Sequence, residues 1–133
     1  MIKFKSPSAI AALLTIIIVS AVTLIMAYTA SILGLGELEM GYTVQRGSES
    51  LSVADGCMEE TLRRIQLNTN YGVGEGTLDL IVSNGFCVIE VTDLGNDQRR
   101  VVVNGNSDNY YKLIQVDLTL NNNSIIIDSW EEK

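Results

Sequence analysis

Hydrophobic positions follow three successive patterns along this chain. From residue 9 to residue 33 the sequence reads AIAALLTIIIVSAVTLIMAYTASIL, with Thr and Ser as its only polar interruptions. A core helix of a small soluble domain would keep a polar stripe, and this run has none. As a helix it extends about 37 Å, enough to cross a ~30 Å hydrocarbon core with some tilt. Its hydroxyls can bond back to the helix backbone, so they cost little in lipid. A cleaved secretory signal is the other reading, but its apolar core would be shorter, roughly 7–15 residues. Ser6-Pro7 suits a helix entry, Ser as cap and Pro in the first turn.

Next comes a helical stripe. Leu51, Ala54, Met58, Leu62 and Ile65 recur at spacings of three and four, while Glu49, Glu59, Glu60, Arg63 and Arg64 fall mainly on the remaining face. Glu59-Arg63 and Glu60-Arg64 are favourable four-apart pairs. Four glycines between the two segments (Gly34, Gly36, Gly41, Gly47) each cost up to ~1 kcal/mol of helix propensity, so this stretch is either a soft helix or a bend. Asn68 to Gly76 ends the helix. One rod from residue 7 to 68 would measure roughly 90 Å.

After Gly76 the pattern alternates. Strands are expected at Thr77–Ser83, Phe86–Asp93, Arg99–Asn104, Tyr110–Leu120 and Ile125–Trp130. The turns between them are Asn84-Gly85, Gly95-Asn96-Asp97, Gly105-Asn106 and Asn121-Asn122-Asn123. A hairpin on Asn84-Gly85 sets Ser83 opposite Phe86 and pairs Val82 with Cys87, Leu80 with Ile89 and Leu78 with Val91. Those six residues then share one face, as do Ile114, Val116, Leu118 and Leu120 on the fourth strand. The fold expected is α+β: a long N-terminal helix, first apolar and then amphipathic, packed on an antiparallel β-meander. Its organisation would be residues 1–36 (cytoplasmic stub and transmembrane helix), 37–76 (helix continuation and loop) and 77–133 (sheet).

Charge adds an orientation. Lys3 and Lys5 precede the apolar run, and Glu37 and Glu39 are the first charges after it. Positive residues favour the cytoplasmic side, so the N-terminus is expected inside and the C-terminus outside. The chain has 133 residues, 9 Lys+Arg against 16 Asp+Glu, and no His. Without His, Ser-His and Cys-His catalysis and the usual zinc sites are excluded, and no nucleophile-base pair or phosphate loop stands in for them; no enzyme, metal or cofactor is expected. A net charge of -7 argues against direct nucleic-acid binding.

Cys57 lies on the inward side of the helix and Cys87 on the inward face of the second strand. In an extracytoplasmic domain this arrangement suggests a disulfide; two buried free thiols are the alternative. Three surface features each have two readings. Asp93-Leu94-Gly95-Asn96-Asp97 is either a hairpin turn or an oxygen-ligand loop for Ca²⁺. Asn122-Asn123-Ser124 is a glycosylation sequon or a polar turn. Tyr110, Tyr111 and Trp130 form an adhesive patch or pack at the sheet edge.

A charge-poor spanning helix that continues outside the membrane and packs on an antiparallel sheet resembles the type IV pilin-like proteins. The segments GLGELEM (Gly34–Met40) and SLSVADGCMEETLRRI (Ser50–Ile65) are similar to the helix of minor pilins of the PilX type. No carboxylate occurs before Glu37, which also fits that type. The resemblance implies assembly: the apolar helix would leave the bilayer and pack among helices of other pilin-like subunits, with help from pilus assembly machinery. Ala12, Ser20, Ala27, Ala30, Ser31 and Gly34 would permit close helix approach, although small residues are also ordinary in membrane helices. The expected function is therefore a structural subunit, minor pilin or pseudopilin, of a cell-surface filament. The rivals are a single-pass anchored β-domain that binds a ligand, and an archaeal-type pilin whose outer domain is a β-sandwich.

Overall fold

The computed structural model describes residues 7–82, 85–122 and 124–133. One helix, α1 (Pro7–Leu67), is followed by β1 (Thr77–Val82), β2 (Gly85–Gly95), β3 (Gln98–Ser107), β4 (Tyr110–Asn121) and β5 (Ser124–Glu132). The strands form one antiparallel sheet in chain order, β1-β2-β3-β4-β5. The chain divides into two compact units, Met1–Tyr42 and Thr43–Lys133. The expected lysines at 3 and 5 and the cap at Ser6 lie outside the described residues.

Helical structure runs through Gly34, Gly36, Gly41 and Gly47 without a break. Among the described residues, the first unit consists of α1. In the second, its last turns lie on the sheet, and Ala54, Cys57, Met58 and Ile65 are buried with Cys87, Ile89, Val91, Val101, Val103, Ile114, Val116 and Leu118. Leu51, Leu62, Leu78, Leu80, Val82, Leu120 and Ile125 pack around that core, partly buried. Ridge positions three and four apart on the helix thus meet alternate positions on four strands, the two periodicities that an α/β interface needs.

Two turn assignments are corrected. Gly85 does not turn the first hairpin; it opens β2 opposite Val82, so Leu80 faces Cys87 and Leu78 faces Ile89. Ser83 and Asn84 lie outside the described residues. The pairing is two positions away from the expected one, and an even shift keeps the same side chains on the helix-facing side. Likewise Gly105 and Asn106 are not a turn but part of β3, which runs on to Ser107 paired with Tyr110. The helix explains both. A Cβ on Gly85 would collide with the Val53 side chain, and one on Gly105 would stand 2.6 Å from the Ala54 nitrogen and 2.7 Å from its Cα. These glycines let the helix close on the sheet, so they lie inside strands.

The bends fall elsewhere. Asn96 and Asp97 both take positive φ (54° and 60°), as a two-residue hairpin loop between Gly95 and Gln98 requires. Asp108 (φ 53°) turns β3 into β4, and Asn122 (φ 37°) begins the turn into β5; Asn123 of that expected turn lies outside the described residues. A register shift at Asp117/Leu118 kinks the β4–β5 ladder.

Candidate functional site

Two features carry chemistry that a function could use, one in each unit. In the first unit every large apolar side chain from Ile10 to Tyr42 is solvent-exposed, from 45% at Val22 to 72% at Met40. None of the most apolar window is buried by the rest of the chain, and the helix is long and apolar enough to cross a membrane. Its hydroxyls are satisfied locally. Thr15 donates to the Ala12 carbonyl (2.8 Å), Ser20 to Ile17 (2.9 Å) and Thr23 to Ser20 (2.9 Å). Thr29 donates to Met26 (2.9 Å) and Ser31 to Ala27 (2.8 Å). No hydroxyl proton in this set needs water, the condition for a polar side chain at rest in hydrocarbon.

Ala12, Ser20, Ala27, Ala30, Ser31 and Gly34 all lie on this helix. At about 100° per residue they fall within one arc of roughly 100°, which they share with Leu13, Ile16 and Leu38. Nothing within 4 Å would meet a Cβ added at Gly34.

In the second unit the Cys57–Cys87 disulfide joins the helix to β2, closing a separation of 30 residues. Cys87 stands opposite Gly105 in the β2–β3 ladder, beside the point where Ala54 approaches. Charges complete the lock. Arg46 reaches both Glu49 (2.8 Å) and Asp108 (3.2 Å) in the β3–β4 turn. Arg100 and Asp117, cross-strand partners, form a two-pronged pair at 2.8 and 2.9 Å. Glu60 binds Arg64 (2.8 Å) as expected, but Arg63 also turns to Glu60 (2.9 Å) rather than to Glu59. The hydrogen bonds from Arg63 and Arg64 pull the Glu60 carboxyl down to about 2. The Arg100 hydrogen bonds lower that of Asp117.

The surface candidates separate. Asp93 Oδ1 accepts from the Gly95 amide (2.8 Å) and from Arg99 Nη1 (2.6 Å), so a guanidinium already sits where a calcium ion would need this oxygen. Tyr110 and Tyr111 are neighbours on one strand and point to opposite faces, while Trp130 sits opposite Val116 on β5; the three aromatics make no common patch. Asn122 is exposed in its turn.

Sequence reasoning missed three inward residues on β3. Val101 and Val103 are fully buried and Arg99 is 7% exposed. The run Val101-Val102-Val103 conceals which parity faces in, and only the ladder to Ile89 and Ile114 reveals it. Compared with known proteins, the chain matches no family model, no curated protein and no solved structure.

Proposed function

We propose that this protein is a structural subunit of a type IV pilus-like filament or pseudopilus, a minor pilin held first in the membrane and then among neighbouring subunits by its apolar helix. The observation that carries this reading is the exposed first unit. A helix that presents large apolar side chains on every side, with its hydroxyls bonded inward, has no stable state in water and must be covered by lipid or by other helices. In lipid the hydrophobic effect no longer drives association, and close packing along a side of small residues takes over. The arc of Ala12, Ser20, Ala27, Ala30, Ser31 and Gly34 supplies small residues on one side.

The second unit supports the same reading from outside the membrane. Its disulfide belongs to an oxidising compartment, and its closed core is what a domain displayed beyond the bilayer needs. The partners in this reading are pilin-like subunits, the membrane and the assembly machinery, and the role involves no catalysis and no direct contact with nucleic acid. Gentle shearing of cells tests it: the chain should be released with extracellular filaments and sediment with them. Full retention in the membrane fraction would overturn assembly and leave the anchored ligand-binding domain.

A further inference from the structure

Beyond its apolar run, α1 crosses a stretch that no core covers. Every residue from 35 to 45 is exposed, including Leu38 (71%) and Met40 (72%). Burial resumes at Arg46 and Gly47, and Ser50 is the first fully buried position among the described residues. Most helical stability in proteins comes from packing, so this stretch depends largely on local preference. Its local preferences are poor. A Cβ added at Gly34, Gly36 or Gly41 would meet nothing within 4 Å, whereas one at Gly85 or Gly105 would collide with Val53 or Ala54. The helix glycines therefore serve no close approach inside the chain. Each lowers the helix–coil ratio about four- to fivefold relative to Ala. Thr43 and Val44 are β-branched, and no Lys or Arg stands three or four positions from Glu37 or Glu39 to steady the turn. The boundary between the two units, at Tyr42 and Thr43, falls in the same stretch.

We propose that residues 35–45 are a conformational hinge, a stretch of α1 that opens and recloses in place and lets the helix bend there. Regions with few buried contacts and solvent-exposed backbone hydrogen bonds open at the low end of the free-energy range of local unfolding. Opening at 35–45 hands the freed amides and carbonyls to water and uncovers no buried side chain. The flanks resist the same event for two different reasons. Toward the C-terminus it would expose Ala54, Met58 and Ile65, all fully buried. Within the apolar run it would leave backbone groups unpaired in hydrocarbon, and Glu37 and Glu39 keep the hinge itself out of that medium. The bend is thereby confined to one short segment, and the sheet unit can change direction without disturbing its own core.

The hinge follows from the exposure and residue content of α1 and does not rest on the filament reading. The test uses the full chain in lipid nanodiscs, with hydrogen exchange read by mass spectrometry and corrected for intrinsic rates. Backbone amides of residues 37–45 should exchange about tenfold or more faster than those of residues 54–65. The triple variant Gly34→Ala/Gly36→Ala/Gly41→Ala should slow the first set by about tenfold or more and leave the second unchanged. Distances between spin labels at Ser31 and Ser52, carried on unnatural amino acids to spare the disulfide, read the bend itself. A straight helix holds these positions ~32 Å apart. The parent should show a distribution broadened toward shorter distances, and the triple variant a narrow one. Three results would overturn the proposal: equal protection of the two sets in the parent, slowing by less than about tenfold in the variant, or a narrow parent distribution at the straight-helix distance.

Discussion

Gly105 is the residue on which the helix–sheet distance turns. Adding one methyl group there places it 2.6 Å from the Ala54 backbone nitrogen, which neither a rotamer change nor a surface shift relieves. Gly105→Ala should therefore destabilise the second unit by about 1–3 kcal/mol in a urea titration. Gly47→Ala, at a helical position with nothing within 4 Å, should stabilise by ~0.5–1 kcal/mol in the same titration. Glu60 makes the third residue-scale prediction. Its carboxyl drops from 4.5 to about 2 on folding, held by Arg63 and then Arg64. A lowered carboxylate stabilises the fold above its unfolded value, and that contribution fades as pH falls from 4.5 toward 2. Glu60→Gln should lower the urea midpoint at neutral pH, and the gap from the parent should close over that acid window. Asp117 acts with the same sign through Arg100. None of these contacts is legible in a glycine as such: Asn84-Gly85 and Gly105-Asn106 carry turn chemistry in the sequence, and only the helix above them makes the glycines serve packing instead.

Among elements, the helix and strands were readable because each has a strong period. The stripe Leu51–Ile65 and the alternation in β4 name the buried side chains directly, and the two-residue error in the first hairpin left the faces unchanged because the period is two. The third strand was opaque for the opposite reason, three valines in a row and an arginine on the inner face. Arg99 breaks the apolar rule and is held by Asp93, a pairing that sequence spacing does not announce. Two predictions belong here. Reducing the Cys57–Cys87 bond, or replacing both residues with Ser, should cost about 3–4 kcal/mol of unfolding free energy in urea. Within the apolar helix, Ile18→Lys places a charge near the middle of the segment proposed to span the membrane and should add ~2.5–3.5 kcal/mol to its insertion, read as a fall in the alkali-resistant membrane fraction.

At the scale of the whole molecule, the two units have opposite relations to water. One exposes its large apolar side chains from Ile10 to Tyr42, and the other closes a core of its own. That contrast was visible in the residue order alone, because no charge occurs from Ser6 to Gly36 and most charges come after it. The orientation drawn from Lys3, Lys5, Glu37 and Glu39 has a direct test. Trypsin added to intact, outer-wall-stripped cells should cleave after Arg46 or at the basic residues beyond it while leaving an N-terminal fragment in the membrane. A chain that resists trypsin until the cells are lysed would reverse the topology.

The bond between Cys57 and Cys87 also has a mechanical meaning. A pull delivered along the helix reaches the second strand through sulfur as well as through packed side chains, and that strand is flanked on both sides by ladder partners. Force on the helix therefore passes through a covalent link to a strand hydrogen-bonded on both sides, and peeling the helix away would require breaking that link. In a reducing medium that link is lost, and only the packed side chains hold the helix on the sheet.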